Sequence, residues 1–548
     1  MCGIIVKTIC RHPTNMAAHT QSAEYNAHLA VQTFPFSFFG FLDQSSNGQQ
    51  TLKIFAATSA ILFAFFLLYS TLRRNEFALV NRLFPLEPSF FSRLRWSTQA
   101  LSILDAADKK FKGLPYKLAR GDKELIVLPV ALIPELNRLG PDVLDARQSH
   151  AVAFVAHLTG LELTVKASYQ SRILQRRVSP ALPELFLPMA TRISVAMKQN
   201  LPDGDEWEEI KPLAAIVPCF SEGMSMVLFG VEMVKSPRLV ELAYKLTEDL
   251  FTVAFMMRLV PSVLQPILVW FLPAKWNLNR KWRELESFVG PEVQRQKKLK
   301  EDGGSTTGMD LLSCMVRDAA TAFEQDASVL TTLCGSVATA AIFSVGNLIC
   351  HLIADLAANP DILTEVRVEI RTKHAEIGGR WDLPALGSLE KLESAMKETA
   401  RLASSPLIVY NRVVKKDCVL GGVHLKQGQF ITMSGRQRTM DPTLYEDPDV
   451  YKGLRFCKPD KIKEHRARPF HTVDTDILTW GAGRAACPGR LIADVAAKIF
   501  LVQLLDEYDF AFVDGKPPKP SMFHEFVFFN PENKMLFRRR EDSIGIEF

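Results

Sequence analysis

The chain has 548 residues, of which 47% are hydrophobic and 23% are charged, and its formal net charge is +5. This length allows a few ordinary domains or one large one, and the composition is typical of a well-packed globular protein. The charge is small for this size, and no basic stripe alternates with aromatic residues, which argues against a nucleic-acid-binding role. The nine cysteines include no CxxC pair and no zinc-like spacing, so the sequence predicts neither a disulfide framework nor a zinc site.

The chain begins MCGII, and a cysteine at position 2 is similar to the N-terminal nucleophile of glutamine amidotransferases. Nothing downstream supports an amidotransferase domain. Residues 1–50 are therefore interpreted as a disordered N-terminal extension or as an artefact of the gene model.

The first strong feature is an apolar run at residues 54–72 that contains no charge and no proline. As a helix it would measure roughly 28 Å, close to the ~30 Å hydrocarbon core of a bilayer. Arg73 and Arg74 follow the run directly and Lys53 precedes it, so the positive-inside rule places the rest of the chain in the cytosol. We predict a transmembrane anchor over 51–74; the alternative is a buried core helix, and a signal peptide fits poorly because a long segment comes first.

The remaining chain is expected to form a proline-stiffened linker over 75–100 and one large domain over 101–548. Helical periodicity dominates this domain, whereas residues 123–130 resemble a strand and the alternation in 407–434 predicts a small sheet. One plausible flexible joint interrupts it, at residues 301–308. The fold class is therefore mainly α with a minor β-sheet. The strongest helical patterns cover residues 328–358, 360–377, 388–402 and 490–505.

Residues 479–490, TWGAGRAACPGR, form a glycine-rich loop around one cysteine, Cys487. Trp480 lies seven residues before this cysteine, Gly483 four before and Gly489 two after. Glycine is needed where the backbone approaches a bulky ligand or adopts positive φ. A helix that begins just after the cysteine would direct its N-terminal amides to the sulfur and favour a thiolate. The loop is either an ordinary turn or a site where the thiolate serves as an axial metal ligand, above all for haem iron.

This loop resembles the haem-binding loop of the cytochrome P450 superfamily, F-x-x-G-x-[R/H]-x-C-x-G. The resemblance extends from about residue 90 to the C-terminus, and it implies a P450-type helical domain that binds haem b. Cys487 would be the axial iron ligand, with Trp480, Gly483, Arg484 and Gly489 beside the cofactor. Other segments look like those of fungal members, which commonly oxidise terpenoid, polyketide or indole-derived metabolites.

Two further segments match the superfamily in the expected order. KETARL places Glu398 and Arg401 at i and i+3 on one helical face, for which the alternative is a surface ion pair. The resemblance adds Arg455 of GLRF and makes the three residues a buried charge network that supports the haem side of the core.

A third match is YNRVVKKD, in which Arg412 corresponds to an arginine that pairs with a haem propionate. A guanidinium suits such a charge-assisted contact geometrically. The alternative is a solvated arginine on a strand.

The loop departs from the superfamily pattern at two positions. Trp480 replaces the usual phenylalanine and keeps an aromatic ring near the sulfur. Ala485 stands where an arginine or a histidine usually holds a haem propionate. We expect Arg412 to compensate, together with Arg176 or Arg177, between which the sequence does not choose.

The predicted helix over 328–358 is expected to cross the distal face of the haem. There the superfamily usually carries an acid and an alcohol that relay protons to bound dioxygen. Phe343 stands at the acid position and Ser344 at the alcohol position, so Ser344 is the candidate catalytic residue. Because phenylalanine cannot carry a proton, this departure motivates an alternative, a haem-thiolate isomerase or lyase that rearranges a peroxide without O2 or a reductase.

The leading hypothesis is a membrane-anchored monooxygenase of the endoplasmic reticulum that inserts oxygen from O2 into a lipophilic small molecule. No strand is followed by a convincing GxGxxG motif, so electrons are expected from a separate NADPH-dependent flavoprotein reductase, docked near Arg484 and Arg490. A third hypothesis is a non-catalytic haem-binding membrane protein. The resemblance places the pocket among mostly apolar segments, 148–165, 340–344, 404–409 and 524–529, which suits a lipophilic substrate.

Overall fold

The described part of the chain in the computed structural model comprises residues 58, 77–84, 87–121, 123–304, 307–403, 405–457 and 469–548. Residues 77–548 form a compact unit of their own. The predicted extension over 1–50 and, apart from Thr58, the predicted anchor over 51–74 lie outside the described residues. Both interpretations therefore stay predictions.

Helices make up most of this unit, and they follow one another along almost its whole length. A single π-helical turn, Leu174–Val178, continues the helix before it. The helices are α1 (Ser89–Phe111), α2 (Ile133–Leu136), α3 (Ala146–Ala153), α4 (Ala156–Thr159), α5 (Leu163–Lys166), α6 (Tyr169–Ile173), α7 (Leu182–Asn200), α8 (Pro212–Phe229), α9 (Pro237–Leu259), α10 (Gln265–Leu268), α11 (Pro273–Glu301), α12 (Leu311–Asp318), α13 (Ala322–Gln325), α14 (Ala327–Ala358), α15 (Pro360–Glu376), α16 (Leu383–Gly387), α17 (Glu390–Leu402), α18 (Arg436–Thr439) and α19 (Arg490–Glu507).

The four predicted helices are present as α14, α15, α17 and α19, with ends that differ by one or two residues from the predicted ones. The predicted joint over 301–308 begins where α11 ends. Helix α1 starts at Ser89, inside the segment predicted as a linker, and buries Trp96 in a hydrophobic cluster with residues of the sheet. The mainly α fold class is therefore confirmed.

The strands form one larger sheet and three small ones. The larger sheet has the order β1-β2-β8-β5-β3, in which β2 and β8 are parallel and the other pairs antiparallel. The predicted strand over 123–130 is β2, and the predicted sheet over 407–434 contributes β5 and β8 to the larger sheet. The strands are β1 (Tyr116–Arg120), β2 (Lys123–Val127), β3 (Leu144–Asp145), β4 (Glu208–Ile210), β5 (Ile408–Val414), β6 (Cys418–Leu420), β7 (Val423–Leu425), β8 (Phe430–Ser434), β9 (Tyr508–Phe512), β10 (Pro520–Phe523), β11 (Phe526–Phe529) and β12 (Met535–Arg539).

Helix α14 is the central element of the helical core. Asp326 caps it, because its carboxylate accepts the backbone N–H groups of Ser328 and Val329 at 2.9 and 3.0 Å. Helices α8, α9, α11, α17 and α19 pack against it. Within the described residues, α8 and α14 are long and apolar enough to cross a membrane, but they bury 78% and 56% of their most apolar windows inside the protein. Both therefore pack as core helices.

An acidic side chain near the end of α14 makes the stability of this core depend on pH. Burial raises the pKa of Asp355 to about 6, although the Thr399 hydroxyl donates to its carboxylate at 2.6 Å. Because this pKa is higher in the folded than in the unfolded chain, the folded state binds the extra proton between about pH 4 and pH 6. Stability from this group is therefore greatest at low pH and declines as the pH rises to about 6.

We expect Asp355→Asn to remove this decline. The variant should gain up to about 3 kcal/mol relative to the wild type between pH 4 and pH 7, since two pKa units correspond to that free energy. Urea unfolding of both proteins across this pH range measures the difference. Parallel pH profiles of the two proteins would contradict the assignment.

Candidate functional site

The loop that contains Cys487 is held by its own backbone. The Cys487 N–H donates to the Trp480 carbonyl at 2.8 Å, and the Ala486 N–H donates to the Gly483 carbonyl at 3.1 Å. Gly481 and Gly483 have φ angles of 72° and 66°, in the left-handed region that favours glycine. The loop therefore turns back on itself and presents the cysteine at the start of α19.

Gly483 is also in close contact with a neighbouring segment. A Cβ on this residue would lie 2.1 Å from the amide oxygen of Asn137, which itself accepts the Tyr410 hydroxyl at 2.6 Å. Tyr410 lies on β5 with a φ of 59°, a conformation uncommon for tyrosine. Glycine at position 483 thus lets the loop pack directly against the residue that follows α2.

The Cys487 sulfur accepts hydrogen bonds from backbone N–H groups at the start of α19, and the pKa of its thiol is raised overall. Burial raises the pKa of the thiol, whereas the N–H groups of Gly489 and Arg490 and the Arg490 guanidinium lower it. The helix terminus predicted to face the sulfur is therefore present. The residue is partly accessible.

The other described cysteines lack this environment. Cys219, Cys334 and Cys350 are fully buried in the core, where burial strongly raises their pKa values. They act as small hydrophobic side chains. Of the cysteines in the described chain, Cys487 is the one with helix-terminal amides at its sulfur.

The indole of Trp480 is fixed by a buried ion-pair group that the sequence analysis missed. Its Nε1–H donates to the Phe470 carbonyl at 2.6 Å, and the two rings lie 5.1 Å apart. The Phe470 N–H in turn donates to Glu393 at 2.6 Å, and Glu393 pairs with buried Lys498. The i, i+4 spacing of Asp494 and Lys498 on α19 could have indicated their ion pair from the sequence. Glu393 lies on α17, and only the fold brings it next to Lys498.

Arg412 is buried, with 8% of its surface exposed. Its guanidinium stacks on the Tyr410 ring at 3.9 Å and donates to the Asn411 carbonyl at 2.8 Å. Burial lowers its pKa, the charge of Asp145 opposes this shift, and no ion pair joins Arg412 to a carboxylate within the described chain. Because a buried cation normally pairs with an acid, Arg412 fits a carboxylate that a ligand supplies, not the alternative of a solvated arginine.

The remaining basic candidates differ in their partners. Arg177 pairs with Asp318 at 2.5 Å on the surface, which leaves Arg176 as the available residue of the two. Arg484 and Ala485 are exposed. Arg490 donates to the Cys487 carbonyl at 3.0 Å, so it is partly engaged in holding the loop.

The predicted charge network is assembled in the protein interior. Arg401 donates through Nε and Nη2 to the two carboxylate oxygens of Glu398, both at 2.8 Å, and both side chains are fully buried. Arg455 Nε donates to Glu398 at 3.0 Å. The pair is thus a buried bidentate ion pair and not the surface pair of the alternative interpretation. Arg401 also donates to the carbonyls of Thr439 and Pro448, each at 2.6 Å.

The middle of α14 has one accessible face in an otherwise mostly buried helix. Ala340 and Ser344, one turn apart, are exposed there. The Ser344 hydroxyl donates to the carbonyls of Ala340 and Ala341, at 2.8 and 3.1 Å. Phe343, at the position of the usual acid, is partly buried and contacts Phe528 at 6.1 Å.

These features together suit a ligand that brings its own metal. No group of three or more His, Cys, Asp or Glu side chains in the described residues could hold a metal ion. Cys487 offers one sulfur, Arg412 offers a buried cation, and a Cβ added to Gly489 would meet no protein atom within 4 Å. A planar organic ligand with a metal centre and carboxylate arms would use all three.

Comparisons with known proteins agree with this arrangement. The family model described as Cytochrome P450 matches residues 173–537. The cytochrome P450 monooxygenase terK of Tolypocladium album is 27% identical over 84% of this chain and 89% of its own. The ent-kaurene oxidase P450-4 of Gibberella fujikuroi is 26% identical over 83% and 90%, and the cytochrome P450 monooxygenase paxP of Penicillium paxilli is 25% identical over 88% and 94%.

Replacement of Gly483 by alanine should destabilise the loop. Alanine would have to displace the Asn137 side chain from 2.1 Å and adopt a φ of 66°. We expect Gly483→Ala to lower the free energy of unfolding by about 2–3 kcal/mol, from overpacking together with left-handed strain. Urea unfolding measures the change.

Two further variants separate the causes of this loss. In the Gly483→Ala/Asn137→Ala double variant, the amide that clashes with the new Cβ is absent, so the stability lost through overpacking should return. The stability lost through the positive φ should not return. Gly290→Ala in α11, where a Cβ meets nothing within 4 Å, should leave stability unchanged or raise it by about 0.5–1 kcal/mol. A Gly483→Ala protein as stable as the wild type would refute the close contact.

Proposed function

From the premise that the chain belongs to the cytochrome P450 family, we propose that it is a haem-thiolate monooxygenase that inserts one oxygen atom of O2 into a lipophilic small molecule. The relatives are named as fungal monooxygenases and oxidases, which supports a role in secondary metabolism. The observation that carries the proposal is the placement of Cys487 at the start of α19, with the Gly489 and Arg490 amides at its sulfur.

The cofactor that we propose is haem b. Cys487 would ligate its iron, with Trp480, Gly483, Arg484 and Gly489 around the sulfur side. Arg412 would hold a propionate, and Arg176 would assist in place of the residue that Ala485 lacks. Their support is the burial of Arg412 without an ion pair to a carboxylate, and the absence of an acidic partner for Arg176, among the described residues.

When bound, haem supplies the activation of O2 with two electrons and two protons. The protein residues have three tasks in this reaction. The amides at Cys487 stabilise the thiolate. Ser344 presents a hydroxyl on the accessible face of α14, where it can bind oxygen or order a water molecule. The network of Glu398, Arg401 and Arg455 keeps the sulfur side of the core in place.

Electrons would come from an NADPH-dependent flavoprotein reductase, which is the usual arrangement in this family. Exposed Arg484 is the part of the loop that an acidic partner surface would meet. Arg490 contributes less to such a surface than the sequence suggested, because its guanidinium is engaged with the Cys487 carbonyl.

We propose that the enzyme is anchored in the endoplasmic reticulum membrane by residues 51–74, with the catalytic domain in the cytosol. Exposed apolar side chains on both sides of α10 and within it support a membrane-facing surface, since large exposed apolar patches mark such contacts. Val263, Ile267 and Phe271 are 83%, 63% and 80% exposed. Phe90 and Phe91 at the start of α1 are exposed too.

The absorption of the reduced protein with carbon monoxide tests the proposed function. We expect the red-shifted band of a thiolate-ligated ferrous haem in the wild type. Cys487→Ser should lose this band, because a hydroxyl is a poor iron ligand compared with a thiolate. Cys418→Ser on strand β6 should keep it. A protein that binds no haem, or a Cys487→Ser variant with the wild-type band, would overturn the proposal.

The source of the inserted oxygen separates the monooxygenase from its alternative. Phe343 at the acid position favours an isomerase or lyase that uses a peroxide as substrate. For the monooxygenase we expect substrate-dependent NADPH oxidation with a reconstituted reductase, and one atom of labelled O2 in the product. Product formation without NADPH and without label would favour the isomerase or lyase. Haem binding without any substrate-dependent NADPH oxidation would favour a non-catalytic protein.

A further inference from the structure

A wall of phenylalanine rings leads from the middle of α14 towards α3. Phe343, next to Ser344, packs edge-to-face on Phe528 at 6.1 Å, and Phe528 packs on Phe251 at 6.4 Å. Phe251 contacts Phe154 at 5.4 Å. The rings form a continuous apolar surface that begins beside the candidate catalytic serine.

The other end of this wall is polar. His150 on α3 lies against Phe154, with ring centroids 4.6 Å apart. The residue is exposed, yet burial lowers its pKa to about 4. The imidazole is therefore neutral near pH 7, and its ring lies at the polar end of the phenylalanine wall. In the described chain its ring nitrogens have no hydrogen-bond partner.

A buried charge cluster lies close enough to His150 to act on it. Glu525, at the tip of the β10–β11 hairpin, accepts Arg258 Nη2 at 2.6 Å and Arg120 Nη1 at 3.3 Å. His524 beside it is neutral, because burial lowers its pKa to about 3. The cluster therefore carries one more positive than negative charge, and the charge of Arg120 contributes to the lowered pKa of His150.

The cluster also has more donors than acceptors. Trp96 Nε1 donates to Glu525 at 3.2 Å, so both carboxylate oxygens of Glu525 are engaged. Within the described residues, Arg120 Nη2 and Arg258 Nη1 are buried without a hydrogen-bond partner. The polar end of the wall thus attracts electron-rich oxygen and repels cations.

We propose that His150 is a specificity-determining residue that donates a hydrogen bond to a carbonyl oxygen of the lipophilic substrate, while the phenylalanine wall contacts its apolar skeleton. The inference rests on the proposed function, since it takes the space beside Ser344 as the substrate pocket. A neutral imidazole offers one N–H donor, which a carbonyl oxygen accepts. A structural role alone would need only the ring contact with Phe154, which a phenylalanine supplies equally well.

The test compares matched ligands on two polycyclic skeletons, a steroid and a kaurane. Each series contains the hydrocarbon, its ketone and its trimethylammonium derivative, which cannot ligate iron. Titration of the haem-loaded full chain, followed by the spin-state change in the absorption spectrum, measures each affinity. We expect the wild type to bind at least one ketone about threefold to tenfold more tightly than its hydrocarbon, the range of one net hydrogen bond. The cationic derivative should bind most weakly.

His150→Phe should remove the preference for the ketone and leave the affinity for the hydrocarbon unchanged, because the stacking on Phe154 is retained. His150→Gln, which keeps an N–H donor, should retain part of the preference. His157→Phe on α4, at an exposed histidine one helix further on, is the matched control and should behave as the wild type.

Two outcomes would overturn the inference. One is a wild type that binds no ketone of the panel more tightly than its hydrocarbon. The other is a His150→Phe variant with an unchanged ratio of ketone to hydrocarbon affinity. Haem content and the carbon monoxide spectrum of each protein distinguish these results from failure of the proposed function, in which the wild type itself would lack the thiolate band.

Discussion

The buried ion pair between Glu398 and Arg401 is the interaction on which the sulfur side of the molecule depends. Loss of one partner would leave an uncompensated buried charge, a cost of about 3–5 kcal/mol. The same guanidinium binds the Thr439 and Pro448 carbonyls, and Arg455 joins the pair from the following segment. Helix α17 therefore holds the segment from Thr439 to Arg455, most of which lies outside helices and strands.

The Cys487 loop combines conformational freedom with fixed surroundings. Positive φ at Gly481 and Gly483 lets the chain turn, whereas Trp480 is anchored through the Phe470 peptide to Glu393. Two helix-terminal amides at the sulfur oppose the effect of burial on its pKa. Burial outweighs these contributions, so the pKa of the thiol is raised overall. Ala485 also removes one cation that superfamily members usually place there. Arg412, a buried guanidinium without an ion pair to a carboxylate of the described chain, is the replacement that we propose.

The surface beside Ser344 on α14 is more apolar than the surroundings of Cys487. Phe343 and the rings that follow it provide an apolar surface, and Ser344 contributes one hydroxyl that is already engaged with α14 carbonyls. Protons for oxygen chemistry therefore cannot come from an acid at position 343. The polar contact that we propose for the substrate lies at the far end of the wall, where His150 is close to the charges of the Glu525 cluster. This division suits a large apolar substrate with one polar substituent.

The sequence by itself determined the mainly helical fold class, because this depends on local periodicity, and its short spacings singled out the glycine-rich Cys487 loop and the Glu398–Arg401 pair. The resemblance to the superfamily added Arg455. It predicted four long helices closely, since each carries a strong apolar repeat. Only the tertiary structure showed that Arg177 pairs with Asp318, joined Glu393 to Lys498, and brought Arg120, Arg258 and Glu525 into one cluster. Those residues are separated by up to several hundred positions in the sequence. Their charges interact strongly only where burial removes water, because a buried ion then depends on its partner for stabilisation.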